Sequence, residues 1–179
     1  MLRLASAALA AGFLVMGAGL AAAAEYPAGD PVIANGLEVG AVYLQPIEME
    51  PAGMMKPAAE TDIHLEADIH ATKDNANGFA EGDWIPDLAI TYELASEDGS
   101  FKASGDFMPM VASDGPHYGD NVKLGGQGKY KLTFHISPPG TGTHFGRHVD
   151  KETGVAPWFQ PFDASYEFIY AGTGKKGSY

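Results

Sequence analysis

Side chains that commonly bind metal ions are concentrated in one short segment, residues 62–70. Within it, His64, Glu66, Asp68 and His70 alternate with apolar residues. Strict alternation predicts a β-strand, in which successive side chains point to opposite faces. The four polar side chains would then share one outward, solvent-facing side of the strand. Such a face could hold a metal ion, and the alternative is a polar strand face that contacts only water.

A second segment supplies thioether sulfurs. Residues 107–120 contain Met108, Met110 and His117 among two prolines and two glycines. Because proline cannot donate a backbone hydrogen bond, we expect a constrained loop here, with His117 held at the surface. A thioether beside an imidazole suits copper, especially Cu(I). The alternative is that the methionines only fill the core.

The other histidines carry a weaker signal. His144 and His148 lie four residues apart in a segment whose glycines indicate a loop, so the spacing alone does not make both of them ligands. His135 occupies a single outward position of a predicted strand. We interpret His135 as an ordinary surface residue.

Short alternating segments recur along the chain and predict an all-β protein. The clearest are residues 63–70, 88–94, 130–136 and 166–170, with further strands expected at 37–45, 100–108 and 121–124. No segment after residue 24 has a convincing helical period, so about seven short strands favour an antiparallel β-sandwich, with a small barrel as the alternative. Residues 128–132 follow the Gly-x-Tyr-x-Cys spacing of an immunoglobulin tyrosine corner, with Leu132 in place of the cysteine. This spacing favours an immunoglobulin-like sandwich.

The composition excludes several classes of protein. The 179 residues include 11 Lys and Arg, 23 Asp and Glu, and no cysteine. The resulting net charge of −12 disfavours binding to nucleic acid. The lack of cysteine excludes thiol enzymes, disulfide scaffolds and a lipid-bearing cysteine. Because Gly-x-Ser-x-Gly, a phosphate-binding glycine loop and His-Glu-x-x-His are also absent, we assign no catalytic residue and expect a binding protein.

The first 24 residues have the pattern of a signal peptide. Arg3 precedes an apolar stretch, and small residues lead up to Ala24 and Glu25. Signal peptidase cleaves after such a pattern, so we expect cleavage near Ala24 and one exported domain over residues 25–179. An uncleaved membrane anchor is the alternative. The leader and the lack of disulfides indicate a bacterial periplasm.

Three motifs taken together resemble a known family. They are His64-x-Glu66 with residues 68–71, residues 107–111 leading into 114–119, and residues 146–150 running on to Gly154 and Trp158. In these motifs the chain resembles the periplasmic high-affinity ferrous-iron transport proteins. Those proteins are encoded beside a membrane iron permease and are related to a treponemal metal-binding lipoprotein. The likeness extends from about Pro27 to Thr173.

The resemblance implies an immunoglobulin-like sandwich that dimerises, with metal sites near the dimer interface. It implies a copper site made by His64, Met110, His117 and His148. It also places Glu66 beside that site as a carboxylate for iron, or for manganese as its surrogate. Donor chemistry agrees, because imidazoles and a thioether favour copper whereas a carboxylate suits Fe²⁺ or Mn²⁺.

We therefore expect a periplasmic copper- and iron-binding homodimer that acts in high-affinity ferrous-iron uptake and delivers iron to an inner-membrane permease. Two other metal functions are alternatives: a copper-dependent ferrous oxidase, and a copper-binding or copper-homeostasis protein. A structural sandwich without a metal role is a further alternative. Catalytic consumption of Fe²⁺ would distinguish the oxidase, and loss of copper binding on replacing His64 and His117 would exclude the purely structural role.

Overall fold

The computed structural model describes residues 24–140 and 144–173. The predicted signal peptide, residues 1–24, lies outside these ranges except for Ala24. None of the helical segments in the described ranges combines the length and the hydropathy that a membrane crossing requires.

The described chain is built from ten strands and a single 3₁₀ turn at Ala58–Glu60. The strands are β1 (Tyr26–Pro27), β2 (Val32–Ala34), β3 (Leu37–Leu44), β4 (Ile63–Ala71), β5 (Ala89–Ser96), β6 (Lys102–Asp106), β7 (Met108–Ala112), β8 (Gly115–Val122), β9 (Gly128–Ser137) and β10 (Phe162–Tyr170).

Two separate antiparallel sheets contain these strands. The first has the order β1-β3-β4-β8-β7, with β2 also paired to β3, and the second has the order β10-β9-β5-β6. The strands β4 and β8 therefore lie inside the first sheet, and β7 forms one of its edges. The prediction of an all-β antiparallel sandwich is confirmed, because two sheets are present instead of one closed barrel.

The alternation that predicted the strands sets the inner face of each sheet. On β4, Ile63, Leu65 and Ile69 are fully buried, and on β9 Leu132 and Phe134 are exposed by no more than 1%. These side chains belong to one continuous apolar cluster between the sheets. Because a shift of one residue would turn this set away from the core and bring the polar set into it, the hydrophobic pattern fixes the register of β4. The same register fixes which side chains face away from the core.

A tyrosine corner is present at the start of β9. The Tyr130 hydroxyl donates a hydrogen bond of 2.7 Å to the carbonyl of Gly126 and accepts one of 3.1 Å from the Gly125 amide. A buried tyrosine that bonds backbone a few residues upstream is a hallmark of immunoglobulin-like sandwiches. The spacing at residues 128–132 therefore predicted a real contact.

The prediction of a loop over residues 107–120 is wrong. This segment contains β7 and most of β8, which pair antiparallel, with Pro109 opposite Tyr118. Proline has no backbone N–H to donate. It is tolerated on β7 because one side of an edge strand has no neighbouring strand to accept a hydrogen bond. The prediction that His117 lies at the surface is also wrong, since His117 is 5% exposed. It lies on β8, which has β4 and β7 as its neighbours in the sheet.

Candidate metal centre

The site lies on the face of β4, β8 and β7 that points away from the sandwich core. The register places His64 opposite Asn121, and Glu66 opposite Gly119. It also places Met110 opposite His117. Opposed residues of antiparallel strands share a face, so the candidate ligands surround a position at which Gly119 has no side chain. The sheet thus forms the floor of a cavity.

Three potential ligands converge above this floor. One ligand atom each of His64, Glu66 and His117 lie within 4.8 Å of one another. A single Glu66 carboxylate oxygen is 3.5 Å from His64 Nε2 and 3.3 Å from His117 Nε2. Within the described residues, neither nitrogen has a hydrogen-bond partner. Buried polar atoms are normally satisfied, so two converging imidazole nitrogens without partners fit a bound cation.

Asn121 fixes the orientation of the His64 ring. Its amide nitrogen donates to the carbonyls of Ile47 and Lys56, both at 2.9 Å. The amide oxygen therefore faces His64 Nδ1 at 3.1 Å, and the ring must donate this hydrogen bond. The proton is consequently on Nδ1, and Nε2 keeps its lone pair toward Glu66. Outer partners of this kind commonly orient metal-binding histidines.

A segment of chain covers the site, which we call the strap (residues 45–57). Asn121 holds it at both ends through Ile47 and Lys56. The strap residues Ile47, Glu48, Met49 and Glu50 line one cavity of about 450 Å³ together with His64, Glu66, Met110 and His117. The prediction that the polar face of β4 is exposed to solvent is therefore wrong at its start. There His64 is fully buried and Glu66 is 5% exposed.

Burial sets the protonation of the cluster. Removal from water lowers the pKa of His64 to about 4, although the hydrogen bond to Asn121 acts to raise this pKa. Burial also lowers the pKa of His117, and it raises the pKa of Glu66 to about 8, with Asp68 adding repulsion. Near neutral pH both rings are thus uncharged, as metal ligands must be, and the metal-free Glu66 carries a proton.

The donor set is mixed in its chemical character. Two neutral imidazoles and the Met110 sulfur that lines the same cavity are borderline and soft ligands, which suit copper. The Glu66 carboxylate is a hard oxygen ligand, which suits Fe²⁺ or Mn²⁺. The residues present therefore fit either a copper ion or a harder divalent cation.

His148 does not join this cluster within its own chain. It lies in the loop between β9 and β10 with 74% of its side chain exposed. Its Nδ1 is 2.7 Å from the Thr153 hydroxyl, which donates to Asp150 at 2.7 Å. The structure thus brings together four of the five predicted ligands, His64, Glu66, Met110 and His117, and leaves the fifth at the surface.

Further carboxylates surround the approach to the site. A second cavity of about 370 Å³ is lined by Glu25, Glu38, Asp68, His70 and Asp114 and shares Glu66 and His117 with the first. A hydrogen bond between Glu25 and Asp114 raises the pKa of Glu25 to about 7 and lowers that of Asp114. Clustered negative charge raises the local concentration of cations without selecting among them.

The buried Glu66 makes the stability of the metal-free protein depend on pH. Its pKa rises from 4.5 to about 8 on folding, so the folded chain keeps a proton that the unfolded chain releases. The stabilisation that results from this retained proton is fully present below about pH 4.5, and it is lost as the pH rises toward 8. His64 acts in the opposite direction, removing stability as the pH falls from 6.5 toward 4. Between about pH 6.5 and 8 the loss of stability therefore comes from Glu66 together with Glu25, whose pKa is raised to about 7, and the Glu66→Gln variant separates the two contributions.

We expect Glu66→Gln to reduce the loss of unfolding free energy across that interval by about 1–2 kcal/mol. Urea unfolding of chelator-treated protein at both ends of the interval measures it. Glu93→Gln is the matched control, since Glu93 is 73% exposed on the other sheet. An equal loss in the parent and in Glu66→Gln would show that Glu66 is already ionised in the folded chain.

Two residues that shape the site were not identified from the sequence. Gly119 leaves room between the ligands, and Asn121 orients His64 and holds the strap. His117, Gly119 and Asn121 are spaced two residues apart, so they lie on one face of β8. That period could have identified them, but the prolines and glycines of the segment favoured a loop prediction.

Comparison with known proteins agrees with these features. A family model described as Fe²⁺ transport protein matches residues 22–172. The chain is 66% identical to the UPF0423 protein of Brucella abortus over 89% of its own length and 88% of that protein. It is 39% identical to the 34 kDa membrane antigen of Treponema pallidum, over 80% of this chain and 72% of that protein.

A solved structure shares both sequence and fold. A copper-bound variant of FetP from uropathogenic Escherichia coli is 59% identical, has a TM-score of 0.80, and matches 83% of this chain and 99% of FetP. Another structure shows FetP as isolated after recombinant expression in the periplasm of E. coli.

Proposed function

The chain belongs to the Fe²⁺ transport protein family, and from this premise we propose that it is a periplasmic copper- and iron-binding protein that delivers ferrous iron to a membrane permease. The observation that carries the proposal is the pair of buried, unpartnered imidazole nitrogens of His64 and His117, which converge on Glu66. Met110 lines the same cavity. The copper-bound FetP supports copper as one occupant, and export of the chain would match the periplasmic expression of FetP.

The mixed ligands suggest a division of roles between two metals. His64, His117 and Met110 would hold copper as a resident ion, which supplies one-electron redox chemistry when bound. Glu66 would offer its carboxylate to ferrous iron, the cargo, or to manganese as a surrogate. The surrounding carboxylates would attract divalent cations to this cavity. The protein residues would thereby bind and position the cargo next to the resident ion.

We also propose that the protein is a homodimer in which His148 of one copy completes the copper site of the other. His148 is exposed and lies beside Val149, which is 75% exposed. On β7, next to Met110, Val111 is 77% exposed. Exposed apolar residues beside both parts of the site fit one self-complementary contact related by a twofold axis.

The hydrogen bonds of His148 prepare it as a ligand. The Thr153 hydroxyl donates its proton to Asp150, so it can only accept from His148 Nδ1. This fixes Nδ1 as the protonated nitrogen and leaves Nε2 free. We expect Thr153→Val to weaken copper binding about 10- to 100-fold, the range typical of such supporting residues. Competition with a chromophoric copper chelator measures this change.

Thr133→Val is the matched control for that variant, because Thr133 bonds Ser165 on the outer face of the second sheet. Copper affinity should be unchanged in Thr133→Val. Parental affinity in Thr153→Val would exclude an orienting role for this hydrogen bond.

Uptake of radioactive Fe²⁺ tests the transport proposal. A bacterial strain that lacks its other ferrous-iron transporters would express the chain together with an iron permease that partners a member of this family. We expect uptake to fall to the level of permease alone in the double variant His64→Ala/His117→Ala, and to persist in His135→Ala. Equal uptake in all strains would refute the proposal, and a loss of copper tolerance with normal iron uptake would indicate copper homeostasis.

The purified protein separates transport from a ferrous oxidase. We expect copper-loaded protein to consume no more than one equivalent of Fe²⁺. We expect no sustained consumption of O₂. Continued consumption of both would assign the chain to the copper-dependent ferrous oxidases instead.

A further inference from the structure

The methionines have an unusual distribution in this fold. The chain beyond its first 24 residues contains five of them, Met49, Met54, Met55, Met108 and Met110. Methionine usually fills gaps in a core, yet none of the five belongs to the buried apolar core. All five lie in two segments, the strap and β7, which both border the metal centre.

The strap carries three of these thioethers within seven residues. Met49, Met54 and Met55 line a cavity of about 380 Å³ formed by the strap and Ala58. Met54 is 52% exposed to solvent. Met49 in addition lines the cavity that contains His64, Met110 and His117. One methionine therefore borders both the surface cavity of the strap and the metal centre.

Packing does not explain these side chains. Met54 is exposed and so contributes little burial energy, and Met49 and Met55 are only half-buried. The strap is already held by the hydrogen bonds of Asn121 to Ile47 and Lys56. Thioether sulfur is a soft ligand, which selects Cu(I) over hard divalent ions. Neutral sulfurs also require no deprotonation to bind a metal ion.

We propose that Met49, Met54 and Met55 form a second, thioether site that binds Cu(I) on the strap and lies on the path by which copper reaches the metal centre. The destination of the ion rests on the proposed function, whereas binding at the strap does not. The site would take monovalent copper, or silver as its redox-inert substitute, and would not take Fe²⁺.

The test uses protein purified from the periplasm of an expression host and labelled with ¹³C on the methionine methyl groups. Ag⁺ is added in steps to the parent and to His64→Ala/His117→Ala. We expect the methyl signals of Met49, Met54 and Met55 to shift in both proteins. Unchanged methyl chemical shifts for these three methionines in both proteins would overturn the proposal. A shift of Met110 alone in the parent would do the same.

Binding stoichiometry provides a second readout that does not need the histidine variant to fold. The double variant Met54→Leu/Met55→Leu keeps apolar volume and should bind one Cu(I) fewer than the parent in competition with a Cu(I) chelator. Ile33→Leu exchanges one apolar side chain for another on β2, where Ile33 is 61% exposed and lines neither cavity, and should bind as the parent does. Equal stoichiometry in the parent and the double variant would overturn the proposal, even if copper binding at the centre is intact.

The two proposals fail in different ways. If the strap signals shift but the histidine variant takes up iron normally, the strap site stands and the transport role of the centre does not. If iron uptake requires His64 and His117 but the strap signals stay fixed, the centre stands and the thioether site is refuted.

Discussion

Replacing His117 by alanine should weaken copper binding by more than about 100-fold, which exceeds the usual effect of residues outside the ligand sphere. The imidazole is 5% exposed, and its Nε2 lies 3.3 Å from the Glu66 carboxylate without a hydrogen-bond partner. Its removal deletes one of two buried nitrogens that are available to an ion. Titration of metal-free protein with copper, in competition with a chelator of known affinity, measures the change.

The matched control is His135→Ala. His135 lies on the outer face of the second sheet, is 39% exposed and contacts Asp163. Its removal should leave copper affinity unchanged. The metal-free His117→Ala protein should still unfold cooperatively, because the variant removes a buried nitrogen that has no partner. Parental copper affinity in a folded His117→Ala protein would show that this imidazole is not a ligand.

Gly119→Ala should weaken copper binding although no candidate ligand is changed. A Cβ at this position would lie 2.7 Å from His64 Nε2 and 3.1 Å from the carbonyl oxygen of Leu65. The second contact is with backbone, which must give by a few tenths of an ångström, and overpacking of this kind costs about 1–3 kcal/mol of stability. The first contact places a methyl group against the nitrogen that keeps its lone pair. We expect copper affinity to fall at least about tenfold, beyond any effect of the stability loss.

Gly40→Ala is the control for that substitution. Gly40 lies on β3 of the same sheet, and a Cβ there would meet Asp68 at 3.6 Å, an ordinary contact. Copper titration and urea unfolding of the two variants separate blocked binding from lost stability. If Gly119→Ala is destabilised but binds copper as tightly as Gly40→Ala, the ion does not lie above Gly119.

The parts of the fold that repeat a local pattern were predictable. Alternation at Ile63–Ala71 identified β4 and its polar face, and the glycine before Tyr130 identified the tyrosine corner. Both features depend on residues that are close in sequence. The resemblance to ferrous-iron transport proteins, drawn from three motifs, is confirmed by the family match.

The features that depend on distant segments were not predictable in the same way. Burial of His64 results from the strap, which Asn121 holds from another strand. The β7–β8 pair was obscured because Pro109 lies on an edge strand, a position that the sequence does not reveal. The proposed role of His148 requires a second copy of the chain, so it stays a prediction.

Anomalous diffraction from crystals loaded with copper, and separately with Fe²⁺, tests the central claim most directly. We expect copper density within bonding distance of His64 Nε2, His117 Nε2 and the Met110 sulfur, and iron density on the Glu66 carboxylate. Copper density confined to other groups, such as the exposed pair of His135 and Asp163, with none between His64 and His117, would contradict the account.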